Sequence, residues 1–222
     1  MPRGVHASPS AFGLRGQSCF EGRAISSGND FITFEMRNFR EITLHQKYKG
    51  ISFQLVGRIK NTATPFNVDF GIGDVVVPKA ETRLIPTQLD GFEAPEISTY
   101  SLESTVAEKF DAILERMELT SRMKDYYDVH FIATRFDFDG RVLQEAIMET
   151  LQNRGTVYDA SSFAEILSFS NNTEMVAKWQ RFLERTRLPN LDFRQVIDIL
   201  ELFLSGIWNA IGRQDEWLQA WH

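Results

Sequence analysis

The stretch Ser101-Leu102-Glu103-Ser104-Thr105-Val106-Ala107-Glu108-Lys109-Phe110-Asp111-Ala112-Ile113-Leu114-Glu115-Arg116-Met117 decides how this chain is built. Leu102, Val106, Phe110, Ile113 and Met117 recur at steps of three and four, which draws one apolar stripe along a helix. Ser101 can cap the first turn, and Glu103 suits the positive end of the helix dipole. Glu108, Asp111 and Glu115 fall opposite the stripe, on what reads as the solvated face.

Upstream of Tyr100 the period drops to two. Phe31, Thr33 and Glu35 alternate with Ile32, Phe34 and Met36, and the runs Ile51–Leu55 and Phe66–Phe70 alternate in the same way. These read as strands. Tyr48-Lys49-Gly50 reads as a turn and Asn61–Pro65 as a loop. With no helix between them, the strands predict an antiparallel or mixed sheet beginning near Ile25. Pro78, Pro86 and Pro95 mark an extended connector. Downstream, helical periods continue over about 121–136, 141–153, 161–168, 173–186 and 192–211, which predicts a helical bundle. Residues 1–24 mix Gly, Pro and Ser without a period and read as a poorly ordered leader. The expected fold class is therefore α+β, with an incomplete sheet domain at 25–98 and a helical domain at 99–222.

Composition narrows the function classes. The chain has 30 acidic and 24 basic residues, a net charge of −6, so contact with nucleic acid requires a local basic patch. Its one cysteine, Cys19, excludes an internal disulfide and fits a reducing cytosol. No apolar run of membrane-spanning length is evident, and the first twenty residues lack a signal-peptide core, so a cytoplasmic protein without a membrane anchor is expected. His6, His45, His130 and His222 are scattered without zinc spacing, and neither a phosphate loop nor a nucleophile elbow is present.

Several charged residues sit where charge is costly. Asp69 lies between Val68 and Phe70 near the end of a strand-like run. It is either a metal-held carboxylate or a residue on the solvated face of a half-buried strand. Lys109 stands at the rim of the apolar stripe, three residues after Val106 and four before Ile113. It is either a snorkelling lysine or a cation aimed at a triphosphate. The next helix opens Arg122-Met123-Lys124-Asp125-Tyr126-Tyr127-Asp128-Val129-His130, with apolar residues on two faces and four charges in its first two turns. Asp125 shares the face of Val129 and Ile132, and Asp128 follows Lys124 by four. A dipole-favoured acid with an ordinary Lys–Asp pair and a charged functional site both fit this spacing. Asp74, after two glycines, reads as a turn residue.

Three motifs, in this order and spacing, carry a resemblance. They are Val68-Asp69-Phe70-Gly71-Ile72-Gly73-Asp74 with Val77-Pro78, then Tyr100 with Leu102 to Ala112, then Ser121 to Val129. The pair AEK and RMKDYYD is the specific part. Together they resemble the AbiEii/AbiGii toxins, nucleotidyltransferases of the DNA polymerase β-like superfamily, over roughly Ile25 to Phe203. The resemblance implies catalytic roles for Asp69, Lys109 and Asp128, with Asp69 as a Mg²⁺ ligand and Arg122, Lys124 and Asp125 at the substrate. It implies Mg²⁺-dependent transfer of a nucleotide from an NTP to an acceptor such as tRNA, in a toxin–antitoxin or phage-defence system with a winged-helix antitoxin. The family's Gly-Ser turn and Asp-x-Asp pair have no counterpart in residues 1–24, where Gly13 and Gly16 are followed only by Glu21. A shortened, inactive chain is therefore expected, with a non-catalytic module binding nucleotide, RNA or a partner as the alternative. Asp69, Lys109, Asp125 and Asp128 are expected to face one cleft.

Overall fold

The computed structural model describes residues 24–26, 31–44, 48–71, 73–88 and 90–222. The expected leader, with Gly13, Gly16, Cys19 and Glu21, lies outside the described residues except for Ala24. The chain is α+β and forms two compact units, Met1–Gly73 and Asp74–His222.

The first unit is an antiparallel meander of β1 (Ala24–Ser26), β2 (Thr33–Leu44), β3 (Tyr48–Ile59) and β4 (Thr62–Gly71), in that spatial order. Alternation sorts the side chains by face. Phe34, Met36, Phe53, Leu55, Phe66, Val68 and Phe70 share one face, with ring contacts Phe34–Phe66 and Phe53–Phe70. Gly57 makes room on β3 for the first of these, since a Cβ there would stand 3.4 Å from the Phe34 ring. Glu35, Arg37, Gln54, Arg58, Asn67 and Asp69 share the other face.

Two sequence expectations fail here. Tyr48–Gly50 is not a turn but the start of β3, paired with Leu44, Thr43 and Ile42. Asn61–Pro65 is not a loop: Lys60, at φ 50°, and Asn61 form the whole connection, and Thr62 already pairs with Ile59. Pro65 is tolerated inside a strand because β4 lies at the sheet edge, where a missing donor costs no ladder bond.

The second unit contains the hairpin β5 (Glu81–Leu84) and β6 (Glu96–Thr99), then six helices: α1 (Leu102–Arg116), α2 (Met123–Ala133), α3 (Gly140–Arg154), α4 (Ser162–Ser168), α5 (Thr173–Thr186) and α6 (Phe193–Arg213). The sequence places 74–98 in the sheet domain, with Pro78, Pro86 and Pro95 marking an extended connector. Instead these residues belong to the helical unit and hold a hairpin of their own. The tie is polar. Val77 N–H donates to Ser104 Oγ at 2.8 Å, and the Ser101 and Ser104 hydroxyls both donate to the Val77 carbonyl.

Caps set the helix starts. Ser101 accepts from Ser104 N–H, Asp139 from Arg141 and Val142, Asn172 from Glu174 and Met175, and Asp192 from Arg194. Val106, Phe110, Tyr126, Leu143, Trp179 and Leu200 are fully buried in the shared core. α6 is long and apolar enough by composition to cross a membrane, against the expectation that no run of that length occurs. Its apolar stripe, from Phe193 through Leu200 to Trp208, is buried in this core. The segment after α6 folds back: Trp221 Nε1 donates to the Ala133 carbonyl, and Trp217 lies over Gly206, where a Cβ would meet its ring at 2.2 Å.

Candidate functional site

α1 and α2 bring five charged side chains together. Burial of Val106, Phe110 and Ile113 fixes the rotation of α1 and leaves Lys109 at the edge of the packed face. Met123, Tyr126 and Val129 do the same for α2, which turns Asp125 inward and Asp128 toward α1. Lys109 Nζ lies 2.6 Å from Asp128 Oδ2 and 3.6 Å from Asp125 Oδ1. Arg122 grips Asp125 with two nitrogens, Nε at 2.7 Å from Oδ2 and Nη2 at 3.2 Å from Oδ1. Lys124 Nζ reaches Asp128 Oδ2 at 2.6 Å.

The Asp125 side chain is only 3% exposed, so its charge depends on these cations. The carboxylates are committed from below, while the cations keep outer faces: the side chains of Arg122 and Lys124 are 50% and 71% exposed. Three cations stand against two carboxylates, a local charge of +1 that favours an anion. The structure thus gathers Lys109, Arg122, Lys124, Asp125 and Asp128. Asp69 belongs to the other unit, exposed on the polar face of β4 opposite Ser52.

A second cluster on α1 was not visible in the sequence. Asp111, placed on the solvated face by its helical angle, is 1% exposed. α3 covers that face. Arg154, the last residue of α3, lies 2.6 Å from Glu108, 3.0 Å from Asp111 and 3.7 Å from Asp74. Thr156 donates its hydroxyl to Asp111 as well. Asp74 is more than the turn residue it resembled, since it also accepts from the Tyr100 hydroxyl at 2.9 Å. Burial raises Glu108 and Asp111 above the ordinary carboxylate range despite Arg154. Burial and the hydrogen bond to Asp74 push the Tyr100 phenol up to about 12. One signal was available: Asp111 stands within Phe110-Asp111-Ala112-Ile113-Leu114, and small or apolar residues around a whole turn mark a helix with no open side.

Among the described residues no three His, Cys, Asp or Glu side chains gather to hold an ion. An Asp-x-Asp does occur at Asp137-Phe138-Asp139, but Asp139 is committed to capping α3 and Asp137 faces His222 at 3.5 Å.

A family model described as "Nucleotidyl transferase AbiEii toxin, Type IV TA system" matches residues 17–199, most of the chain. The chain belongs to this family of nucleotidyltransferase toxins, which implies an antitoxin counterpart. No curated protein matches the sequence significantly. Among solved structures, JHP933 from Helicobacter pylori is similar at 11% identity and a TM-score of 0.39, covering 82% of this chain and 67% of that one. A candidate nucleotidyltransferase from H. pylori is similar at 10% identity and a TM-score of 0.42, covering 83% and 71%.

Proposed function

We propose that the Lys109 cluster binds the triphosphate of an NTP for nucleotidyl transfer to an RNA acceptor such as tRNA. The supporting observation is the excess of one cation within the cluster of Lys109, Arg122, Lys124, Asp125 and Asp128, in a chain of net charge −6. In such a transfer an acceptor hydroxyl oxygen bonds to the α-phosphorus and gives up its proton to water, the bond from the α-phosphorus to the bridging oxygen of the β-phosphate breaks, and pyrophosphate leaves. The charge on the phosphates is what fixed cations stabilise. Lys109 would meet the phosphates directly. Asp128 and Asp125 would hold its ammonium in place, with Arg122 and Lys124 at the outer rim. Asp69 is the proposed Mg²⁺ carboxylate. A winged-helix antitoxin and a cytoplasmic setting complete the proposal, the latter supported by the single cysteine.

One Asp69 does not make a two-ion site, which needs several carboxylates. We therefore propose that these 222 residues bind an NTP without transferring it. Calorimetry with ATP tests binding, and Lys109→Ala should abolish it. Incubation with labelled NTPs, Mg²⁺ and total tRNA tests transfer, with no labelled RNA above background expected. Labelling that disappears in Asp69→Ala would show a competent catalyst and overturn the non-catalytic reading. A wild-type chain that binds no ATP would overturn the role given to the cluster.

A further inference from the structure

Neighbouring residues hold α1 from two sides. Lys109 reaches α2, while Glu108 and Asp111 reach Arg154 at the end of α3. The end of α3 is shaped for this contact. Gly155 turns left-handed at φ 58°, and Thr156 then returns to the carboxylate of Asp111 that Arg154 already holds. Arg154 faces three carboxylates from two segments, and Asp74 is steadied in turn by Tyr100. Without the guanidinium, these acids would face one another with no cation of the cluster between them. Buried like charges force either proton uptake or movement of the helix that carries them.

We propose that Arg154 is a positioning residue for Lys109. By pairing with Glu108, Asp111 and Asp74 it clamps the side of α1 away from α2, so that the rotation set by the core is held and Lys109 stays against Asp125 and Asp128. The importance of this role rests on Lys109 being the triphosphate cation, but the positioning itself is measurable without any nucleotide.

The full chain is acylated with limiting acetic anhydride and Lys109 is followed by mass spectrometry. Lys60, exposed in the β3–β4 turn, serves as the reagent reference, and amide exchange of α6 reports the fold. Arg154→Met should raise Lys109 acylation at least about fivefold while α6 exchange is unchanged. Arg154→Lys should recover part of the protection, because the charge returns without the planar fork. Adding Glu108→Gln, Asp111→Asn and Asp74→Asn to Arg154→Met should recover it too, because no unpaired acid of the cluster remains. An unchanged Lys109 rate in Arg154→Met, or no recovery in the charge-neutral combination, overturns the proposal. If Arg154→Met loosens α6 as well, Arg154→Lys alone decides: a rise of about twofold over the wild type supports the role and no change overturns it. ATP calorimetry on the same proteins separates the two readings. A wild type that binds no ATP defeats the NTP site, while the labelling pattern still decides the role of Arg154.

Discussion

The two charged clusters that flank α1 are built from the same residue types with opposite balances. On the α2 side, Lys109, Arg122 and Lys124 stand against Asp125 and Asp128. On the α3 side, Arg154 stands against Glu108, Asp111 and Asp74. The first has spare positive charge with exposed cation heads, and an anionic ligand can use it. The second has spare negative charge closed in by α3, and nothing in it attracts a phosphate. A cluster of ionisable side chains is therefore not a site by virtue of being a cluster. The sign of the excess, and which partner keeps a face to solvent, separate a binding surface from a structural clamp.

If that contrast is right, the clamp should matter most for stability. Asp111→Ala removes a 1%-exposed carboxylate with two partners and leaves Arg154 and Thr156 facing a void. A loss of about 3 kcal/mol is expected by urea unfolding. Asp125→Asn should cost less, about 1–2 kcal/mol, because Arg122 is half-exposed and Lys109 keeps Asp128. Equal costs, or the reverse order, would break the distinction.

The pH dependence of stability should come from the clamp as well. Glu108 and Asp111 have folded-state pKa values raised by burial above the ordinary 4.5 and 3.8. The folded chain therefore holds these protons to higher pH than the unfolded chain does. Their contribution is fully present below the ordinary carboxylate values and is lost as pH rises through the raised ones. The charged groups facing them are Arg154, Asp74 and, for Asp111, Glu115. Glu108→Gln should thus gain on the wild type as pH rises from 4 toward 7, as read by urea midpoints at both ends. A gap between the two proteins that stays constant would mean that Glu108 titrates normally.

How much of this was legible depended on whether a pattern was local. The stripe and cap of α1 and the span of α5 are legible from local pattern, and so are Lys109, Asp125 and Asp128, because a charge at the rim of an apolar face is visible on a single helix. Arg154 was invisible for the opposite reason. It lies 43 residues from Asp111 in sequence, and only tertiary packing shows that the polar face of α1 is covered. The same limit explains the hairpin β5–β6 and the reach of β3 and β4, where pairing across the sheet overrode the turn-like composition of Tyr48–Gly50 and Asn61–Pro65.

The smallest expected effect sharpens the contrast from the other side. Lys124 is 71% exposed and meets Asp128 four residues along the same helix. A pair of that kind contributes only about 0.3–0.5 kcal/mol, because water screens it and a long side chain loses freedom in forming it. Lys124→Ala should therefore leave the urea midpoint almost unchanged. Its charge nonetheless belongs to the cation excess, and long-range attraction of a triphosphate depends on charge rather than on the pair. ATP affinity should fall measurably at low ionic strength, and the difference from wild type should shrink as salt is added. A Lys124→Ala protein that loses stability but binds ATP as before would make this residue part of a structural pair. The α2 side would then differ from the α3 side in sign alone, and not in use.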